Sequence, residues 1–441
     1  MAPSAFRRRF ATPTAASCIN RSARTTVTAP LLLAWICAAF ALELAVGVTV
    51  VLVRRARRIA LAAVLRPAVP SAAGAVPAWP GWREFRVVQR EFEDAAQTQC
   101  SFHLVPVDGV ALSEFKPGQY LTFALDVAGS TDTAAPRPVT RCYSLSDRPH
   151  PLHHRITVKR VGAPPLAQSL PPGVASNHLH DRVHKGDVLR VRAPAGRFVI
   201  EPDDTATPVL IAGGIGITPL LAMLNWWLAE RPDRPIHLYY GLRHSGEHAF
   251  RSWLEQQAAA HPHFHLTIAC SRPEPGDEPG RDFQHLGHID VELLRRTLPA
   301  GRHRFYLCGP PAMLGSVLPA LRDWGVAPDD ICHEAFGPAS GEAPPAPSPD
   351  APAARTPAFD VRFARSGRTL AWDGRDASLL AFAERHAVAV DSGCRAGSCG
   401  SCETRLIDGQ VDYAEPPDHD IAPGHCLLCV GTPRPGLVID A

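Results

Sequence analysis

Cys394, Cys399 and Cys402 stand in the run DSGCRAGSCGSC, a C-x4-C-x2-C spacing with only small residues between the last thiols. Three cysteines this close cannot all pair with one another, so a metal is the expected partner. A [2Fe-2S] cluster is held by this spacing together with one more distant cysteine. The fourth thiol is sought in CLLCV, where Cys426 and Cys429 compete. Cys429 is favoured, because V-G-T-P after it leads into the last alternating run, residues 437–440. The other reading is a structural zinc held by two C-x2-C pairs, Cys399/Cys402 and Cys426/Cys429. That arrangement leaves Cys394 idle and the glycine and serine filling unexplained.

Three further stretches carry chemistry. In Arg141-Cys142-Tyr143-Ser144, a guanidinium for a phosphate, an aromatic face for stacking and a hydroxyl lie close together. Gly173 and Ser176 open a helical stretch whose N–H groups suit a pyrophosphate. In PVLIAGGIGITP a buried strand runs into Gly213, Gly214 and Gly216, with Thr218 suited to the N-cap and Pro219 to the first helical position. These glycines allow close approach of a dinucleotide phosphate to a helix N-terminus. Pro219 replaces the third glycine of the usual fingerprint, and the next strand ends in Gly241-Leu242-Arg243 without the acidic residue that usually binds a ribose. Arg243 could face a 2′-phosphate, but an arginine is common after such a strand, and the expectation leans to NADH. A later strand, residues 303–308, runs into Cys308-Gly309-Pro310.

These residues need three frameworks, and at 441 residues a prior of about 150 residues per domain gives roughly three. Short strands at residues 85–93, 100–107, 119–127, 141–146, 155–161 and 188–193, separated by turn signals, predict an antiparallel β-barrel. Alternating strands and helices from Pro208 to about Ala335 predict a parallel sheet with helices on both faces, its ligand at the carboxyl ends of the strands. The Pro/Ala run 341–357 is a tether. Beyond it an alternating strand, a turn at Ser366-Gly367 and a helical pattern through Leu379, Leu380, Phe382 and Ala383 lead to the cysteine loop. The expected division is therefore 1–66, 82–203, 206–340, the linker 341–357 and 358–441.

The ordered set R-x-Y-S, G-x-x-S-x-x-L, G-G-x-G-x-T-P, C-G-P and E-x-F-G-P resembles the ferredoxin-NADP reductase superfamily. With the cysteine module behind it, the chain from about Trp82 to Ala441 is similar to class I oxygenase reductase components, and in style to flavohaemoglobin-like and hybrid-cluster-protein reductases. The resemblance implies a multidomain protein: a flavin barrel, an α/β nicotinamide domain and an α+β β-grasp ferredoxin domain. It implies that Arg141, Tyr143 and Ser144 contact FAD, with FMN the lesser expectation, and that Ser176 contacts its phosphates. Gly214, Gly216 and Thr218 would meet NADH or NADPH, Cys308 would lie beside the nicotinamide, and Glu334 and Phe336 beside the isoalloxazine. Ser144, Cys308 and Glu334 form the implied catalytic set. Two departures stand out: the loop from Cys402 to Cys429 is slightly short, and residues 162–172 are expanded. Because a flavin and a nicotinamide need a one-electron exit and zinc is redox-inert, Cys394, Cys399, Cys402 and Cys429 are the expected cluster ligands.

Residues 31–53, LLLAWICAAFALELAVGVTVVLV, carry one charge, Glu43, and end at Arg54, Arg55, Arg57 and Arg58. A helix of this length crosses a bilayer core of about 30 Å, and the basic edge puts the catalytic domains in the cytoplasm. A cleaved signal peptide or a misassigned start codon are the other readings. A net charge of +2 makes no case for nucleic acid, and twelve unevenly spaced cysteines make none for a secreted disulfide scaffold. Cys18, Cys37, Cys100, Cys142, Cys270 and Cys332 have no spacing partner and are expected to be buried structural thiols. His150, His153, His154, His178, His180 and His184 crowd one region without metal-site spacing. The expected activity is an electron relay from NAD(P)H to an acceptor protein such as a membrane desaturase, monooxygenase or oxygenase component. The alternatives are a self-contained quinone reductase or a non-catalytic redox sensor.

Overall fold

The computed structural model describes residues 78–127, 139–162, 173–336 and 358–441, apart from 394, 396, 398, 415, 416 and 418. They fall within the compact unit Pro70–Ala441, while the expected membrane span 31–53 and the tether 341–357 lie outside the described residues. Among the described residues no helix is long and apolar enough to cross a membrane.

Six strands build the first sheet: β1 (Arg83–Phe92), β2 (Gln99–Pro106), β3 (Tyr120–Leu125), β4 (Val139–Ser144), β5 (His154–Lys159) and β6 (Val188–Ala195). Each coincides with an expected strand, and all neighbouring pairs are antiparallel in the order β4-β3-β6-β1-β2-β5. A bridge between Leu145 and Ile156 joins the two ends of that order, so the sheet closes and neither edge is left open. The alternating apolar residues Phe85, Val87, Phe102, Leu104, Leu121 and Phe123 are fully buried inside it. Helix α1 (Val174–Arg182) adds Ala175 and Leu179 to the same core.

The crowded histidines are spread over several elements: His154 lies on β5, His150 and His153 just before it, His178 and His180 on α1 and His184 just after α1. His150 and His153 rings lie 4.2 Å apart, but among the described residues no group of three His, Cys, Asp or Glu is arranged to hold a metal. His154 is 1% exposed, packed on Phe85 and Phe115 at 5.8 and 5.5 Å between ring centres. Burial, helped by His153 and Arg83, pushes it down to about 3. Such a histidine is neutral when folded and binds a proton when unfolded, so stability is complete above about pH 6.5 and falls as pH drops toward 3. His154→Phe is expected to flatten the pH slope of the urea-unfolding free energy between pH 6 and 4 by about 1.4 kcal/mol per unit, one proton's worth. An unchanged slope would rule out a neutral buried imidazole at this position.

The second sheet is parallel, in the order β10-β9-β8-β7-β11-β12. Its strands are β7 (Thr207–Gly213), β8 (Ile236–Leu242), β9 (Phe264–Cys270), β10 (His285–Leu286), β11 (His303–Gly309) and β12 (Ile331–Ala335). Strand β7 shows why it is central: Val209 and Ile211 face one apolar cluster, Leu210 and Ala212 the other, all at 0% exposure. Helices α2 (Ile217–Glu230) and α3 (Arg251–Ala260) cover one face; α4 (Val291–Thr297) and α5 (Pro311–Asp323) cover the other. Progression from β7 runs outward through β8 to β10, then returns to β11 on the opposite side. The chain therefore reverses direction between β7 and β11, and a crevice for a ligand opens where strand order reverses.

In the last stretch β13 (Phe359–Phe363) and β14 (Arg368–Trp372) form a hairpin, and β13 pairs in parallel with β19 (Val438–Ile439). The order β14-β13-β19-β15-β17 is completed by β15 (Glu403–Asp408) and β17 (His425–Leu427); β16 (Val411–Tyr413) pairs with β18 (Gly431–Pro433). Across this sheet packs α6 (Leu379–Arg385), capped by Ser378, whose hydroxyl accepts from the Ala381 N–H at 3.2 Å. All four of its expected apolar residues are buried in the common core.

Candidate active site and cluster loop

Arg141, Tyr143 and Ser144 lie on β4, which pairs with β3 through Phe123↔Arg141, Leu121↔Tyr143 and Tyr120↔Ser144. The Tyr143 ring meets the edge of Phe123 at 5.7 Å, and burial raises its phenol well above the ordinary value. A neutral, fixed ring of this kind is a stacking surface. Ser144 is 5% exposed. At the start of α1, the Ser176 hydroxyl donates to the Gly173 carbonyl at 3.3 Å. A β-carbon on Gly173 would fall 2.7 Å from that hydroxyl and 2.8 Å from the Val161 β-carbon, so a larger residue would force these side chains to shift. Strand β4 thus brings the aromatic and hydroxyl groups together; α1 supplies the N-terminal N–H groups that suit a pyrophosphate.

At the end of β7 the chain makes a single 3₁₀ turn, Gly214–Gly216, and passes directly into α2. The sequence places Thr218 at the N-cap and Pro219 at the first helical position; the structure corrects both. Gly216 already has helical angles and is the cap, so helical bonding starts at Ile217. Thr218 then sits inside the first turn, buried to 1%, its hydroxyl donating to the Ile215 carbonyl at 3.1 Å.

Cys308 on β11 pairs with Ala212 of β7 on one side and Glu334 of β12 on the other. The packing here is backbone on backbone. A β-carbon on Gly216 would lie 2.1 Å from the Cys308 carbonyl oxygen, and one on Gly309 would lie 3.1 Å from the Gly213 main chain. Met313 of α5 lies over both Gly213 and Gly309, a contact the sequence reading missed. Full burial, with the Glu334 charge adding, holds the Cys308 thiol far above its ordinary range. It is a neutral thiol at physiological pH, able to pack and to donate, not a thiolate base. Phe336 donates its N–H to the Gly309 carbonyl at 3.0 Å, which keeps the end of β12 against the same crevice.

Arg243 follows β8 and is drawn to Glu247, its Nε donating to Oε2 at 3.1 Å and its Nη2 to Oε1. Lys159 of β5 approaches the same carboxylate at 3.3 Å. Burial would raise the Glu247 carboxyl, but Arg243 and Lys159 hold it below the usual range. Glu247 carried no sequence signal beyond its place four residues after an arginine.

In the cysteine loop, Cys399, Cys402 and Cys429 are buried; Cys394 lies outside the described residues. Main-chain N–H groups already face sulfur: Ser401 donates to Cys399 Sγ at 3.5 Å and Cys429 to Cys402 Sγ at 3.4 Å. Such donors stabilise and tune a thiolate-bound cluster. Glycines make room for them. A β-carbon on Gly393 would lie 2.7 Å from Cys399 Sγ, and one on Gly400, at φ +68°, would lie 2.3 Å from the His419 ring. His419 in turn bonds Glu403 at 2.7 Å and donates its N–H to the Gly397 carbonyl at 3.0 Å. These residues fit a [2Fe-2S] cluster. Cys426 sits apart on β17, opposite Thr404 of β15, with burial pushing its thiol up to about 12. Of the other thiols, Cys100 and Cys270 are buried as expected, whereas Cys142 and Cys332 are only half-buried.

A closed antiparallel barrel, a parallel sheet with a glycine-lined switch point and a β-grasp module with a cysteine loop define a flavin-dependent pyridine-nucleotide oxidoreductase with an iron-sulfur domain. The oxidoreductase NAD-binding domain family matches residues 210–318, and the 2Fe-2S iron-sulfur cluster binding domain family matches residues 361–434. A flavohemoprotein of Halalkalibacterium halodurans is 38% identical over 261 residues, 59% of this chain and 61% of the relative. The chain spans only about three fifths of the length of the curated flavohemoproteins it matches. The flavohem-like FAD/NAD binding domain of nitric oxide dioxygenase from Vibrio cholerae superposes with a TM-score of 0.50 at 32% identity, covering 58% of this chain and 99% of that one. Phthalate dioxygenase reductase, described as a modular structure for electron transfer from pyridine nucleotides to [2Fe-2S], superposes with a TM-score of 0.50 at 25% identity over 82% of this chain and 98% of its own. The chain belongs to the ferredoxin-NADP reductase superfamily, in the class with a C-terminal [2Fe-2S] ferredoxin domain. It is an oxidoreductase whose cofactors are FAD, a nicotinamide dinucleotide and a [2Fe-2S] cluster.

Proposed function

We propose that this chain carries electrons from NADH through FAD and the [2Fe-2S] cluster to a separate acceptor protein, such as a membrane desaturase, a monooxygenase or an oxygenase component. The observation that most supports this reading is the union, in one chain, of the crevice between β7 and β11 with a glycine-lined cysteine loop. When bound, FAD supplies hydride acceptance and one-electron release, and the cluster supplies the one-electron exit. The protein's own part is positioning and the exclusion of water. Arg141 would hold a flavin phosphate, Tyr143 and Ser144 the ring, and Ser176 with the α1 N-terminus the pyrophosphate. The turn Gly214–Gly216 with Thr218 would receive the dinucleotide. Cys308, a buried neutral thiol, would keep water from the nicotinamide, with Glu334 and Phe336 flanking the isoalloxazine. Cys394, Cys399, Cys402 and Cys429 would ligate the cluster.

Similarity to phthalate dioxygenase reductase over 82% of this chain favours a protein acceptor. Domain limits of 82–203, 206–340 and 358–441 go with this reading, as does a single-pass anchor at residues 31–53 that leaves the catalytic domains facing the cytoplasm. Anaerobic titration with NADH, followed by absorbance and electron paramagnetic resonance, tests the relay. Both flavin and cluster are expected to be reduced; a bleached flavin beside an oxidised cluster would sink it. The anchor predicts that the full chain sediments with membranes and that a chain starting at residue 67 stays in the supernatant.

A further inference from the structure

One of the contacts between the barrel and the nucleotide domain is made by the short segment Ser245–Glu247 and the hairpin between β1 and β2; another is Asn225, which donates to Asp147 at 2.7 Å. Asp94 shapes that hairpin, its Oδ1 accepting from the Thr98 and Gln99 N–H groups at 2.9 Å each. Across the seam, Ala96 donates its N–H to the Gly246 carbonyl at 3.0 Å, Gln99 Nε2 donates to the Glu247 carbonyl at 2.9 Å, and Phe250 donates its N–H to the Glu93 carbonyl at 3.0 Å. Lys159 closes the contact on the Glu247 carboxylate at 3.3 Å. Glu247 is thus pinned from both domains, and its side chain is 5% exposed. Its remaining partner, Arg243, is 60% exposed.

Arg243 stands two residues beyond Gly241, whose partner on β7 is Gly213. It therefore lies at the carboxyl edge of the sheet beside the glycine turn, where the ribose of a dinucleotide is received in such folds. A 2′-phosphate there would call on a guanidinium presented with both prongs. Glu247 already occupies Nε and Nη2 of Arg243. Pulling Arg243 away would leave a buried carboxylate short of a partner, which is costly. A nucleotide without the 2′-phosphate makes no such demand.

We propose that Glu247 is a specificity-determining residue, which sequesters Arg243 and so makes the chain reject NADPH in favour of NADH. The inference rests on the reading that a nicotinamide dinucleotide binds at this sheet edge. It is tested on the full chain with ferricyanide as acceptor, by kcat/KM for NADPH divided by that for NADH. Glu247→Gln is expected to raise this ratio about tenfold, the worth of a charge-assisted pair. Arg243→Ala in the otherwise native chain is expected to change it by less than about twofold, since the guanidinium is already engaged. Combined with Glu247→Gln, Arg243→Ala is expected to abolish the gain. An unchanged ratio in Glu247→Gln with intact NADH turnover overturns the inference. So does a large loss of NADPH use in Arg243→Ala alone, and so does a gain that survives the double replacement, which would assign the 2′-phosphate to another cation. Should Glu247→Gln fail to retain flavin, Arg243→Lys carries the test, because it breaks the two-pronged pair at an exposed side chain and keeps the charge. A raised ratio then supports the inference and an unraised one overturns it. A native chain reduced by neither nucleotide would overturn the proposed function and this inference with it.

Discussion

Cys429→Ala is expected to abolish the visible absorption and the reduced-state paramagnetic signal of the [2Fe-2S] cluster, while Cys426→Ala leaves both in place. The two thiols are three residues apart, yet their surroundings differ. Cys429 lies beyond the end of β17, and its N–H reaches Cys402 Sγ at 3.4 Å, so its main chain is already part of the sulfur-binding loop. Cys426 is inside β17, in register with Thr404, and its burial holds the thiol up to about 12. Cys402 and Cys429 are buried as well, so it is the place of Cys426 inside the β15–β17 pairing, and not burial, that sets it apart from the loop. Flavin reduction by NADH should persist in Cys429→Ala, since the barrel and nucleotide domain have cores of their own, while reduction of a one-electron protein acceptor is lost. Retention of the cluster spectrum in Cys429→Ala, or its loss in Cys426→Ala, would reverse the assignment.

Gly216→Ala should be the most damaging single-methyl change in the nucleotide domain. The added carbon would sit 2.1 Å from the Cys308 carbonyl oxygen and 2.8 Å from the Gly309 nitrogen. Both are main-chain atoms of a central strand and cannot swing aside, so the turn itself must move. Overpacking of this sort costs about 1–3 kcal/mol, and a displacement near 1 Å at a positioning element costs roughly a hundredfold in rate. Gly214→Ala provides the contrast. Its β-carbon would meet nothing within 4 Å, but φ is +52°, so the penalty is only about 1–2 kcal/mol of left-handed backbone. Urea unfolding together with stopped-flow reduction of the flavin by NADH separates the two cases. Native-rate reduction in Gly216→Ala would mean that the turn does not receive the nucleotide.

Each part of the fold that was legible in the sequence owes this to local chemistry. Closely spaced turn signals between short stretches marked all six barrel strands, because a strand in a small barrel must end in a tight turn. The apolar run 209–212 marked a strand buried on both faces. The spacing of Leu379, Leu380, Phe382 and Ala383 marked a helix, since those positions share one side. Cysteine spacing named the metal chemistry for a similar reason: three thiols within nine residues meet whatever surrounds them. Thr218 shows the limit of local rules. A good capping residue lost its expected place because the glycine turn before it was itself helical, and that depended on close packing against β11.

By itself, then, the sequence determined the barrel strands, the alternation of strands and helices that follows them and the cysteine centre, from turn signals, periodicity and spacing, while the resemblance of its ordered motifs supplied the flavin and the nicotinamide. Tertiary structure alone decided which groups from distant positions share a site. Cys308 meets Glu334 and the Gly216 turn because β11 returns to lie between β7 and β12. Arg243, the residue read as able to face a 2′-phosphate, is instead bound to Glu247, and Lys159 reaches that carboxylate from a different domain. No local pattern encodes such a meeting. It arises when the buried Glu247 carboxylate must find partners on folding, and only the packed arrangement of barrel and sheet brings Lys159 of the barrel within its reach.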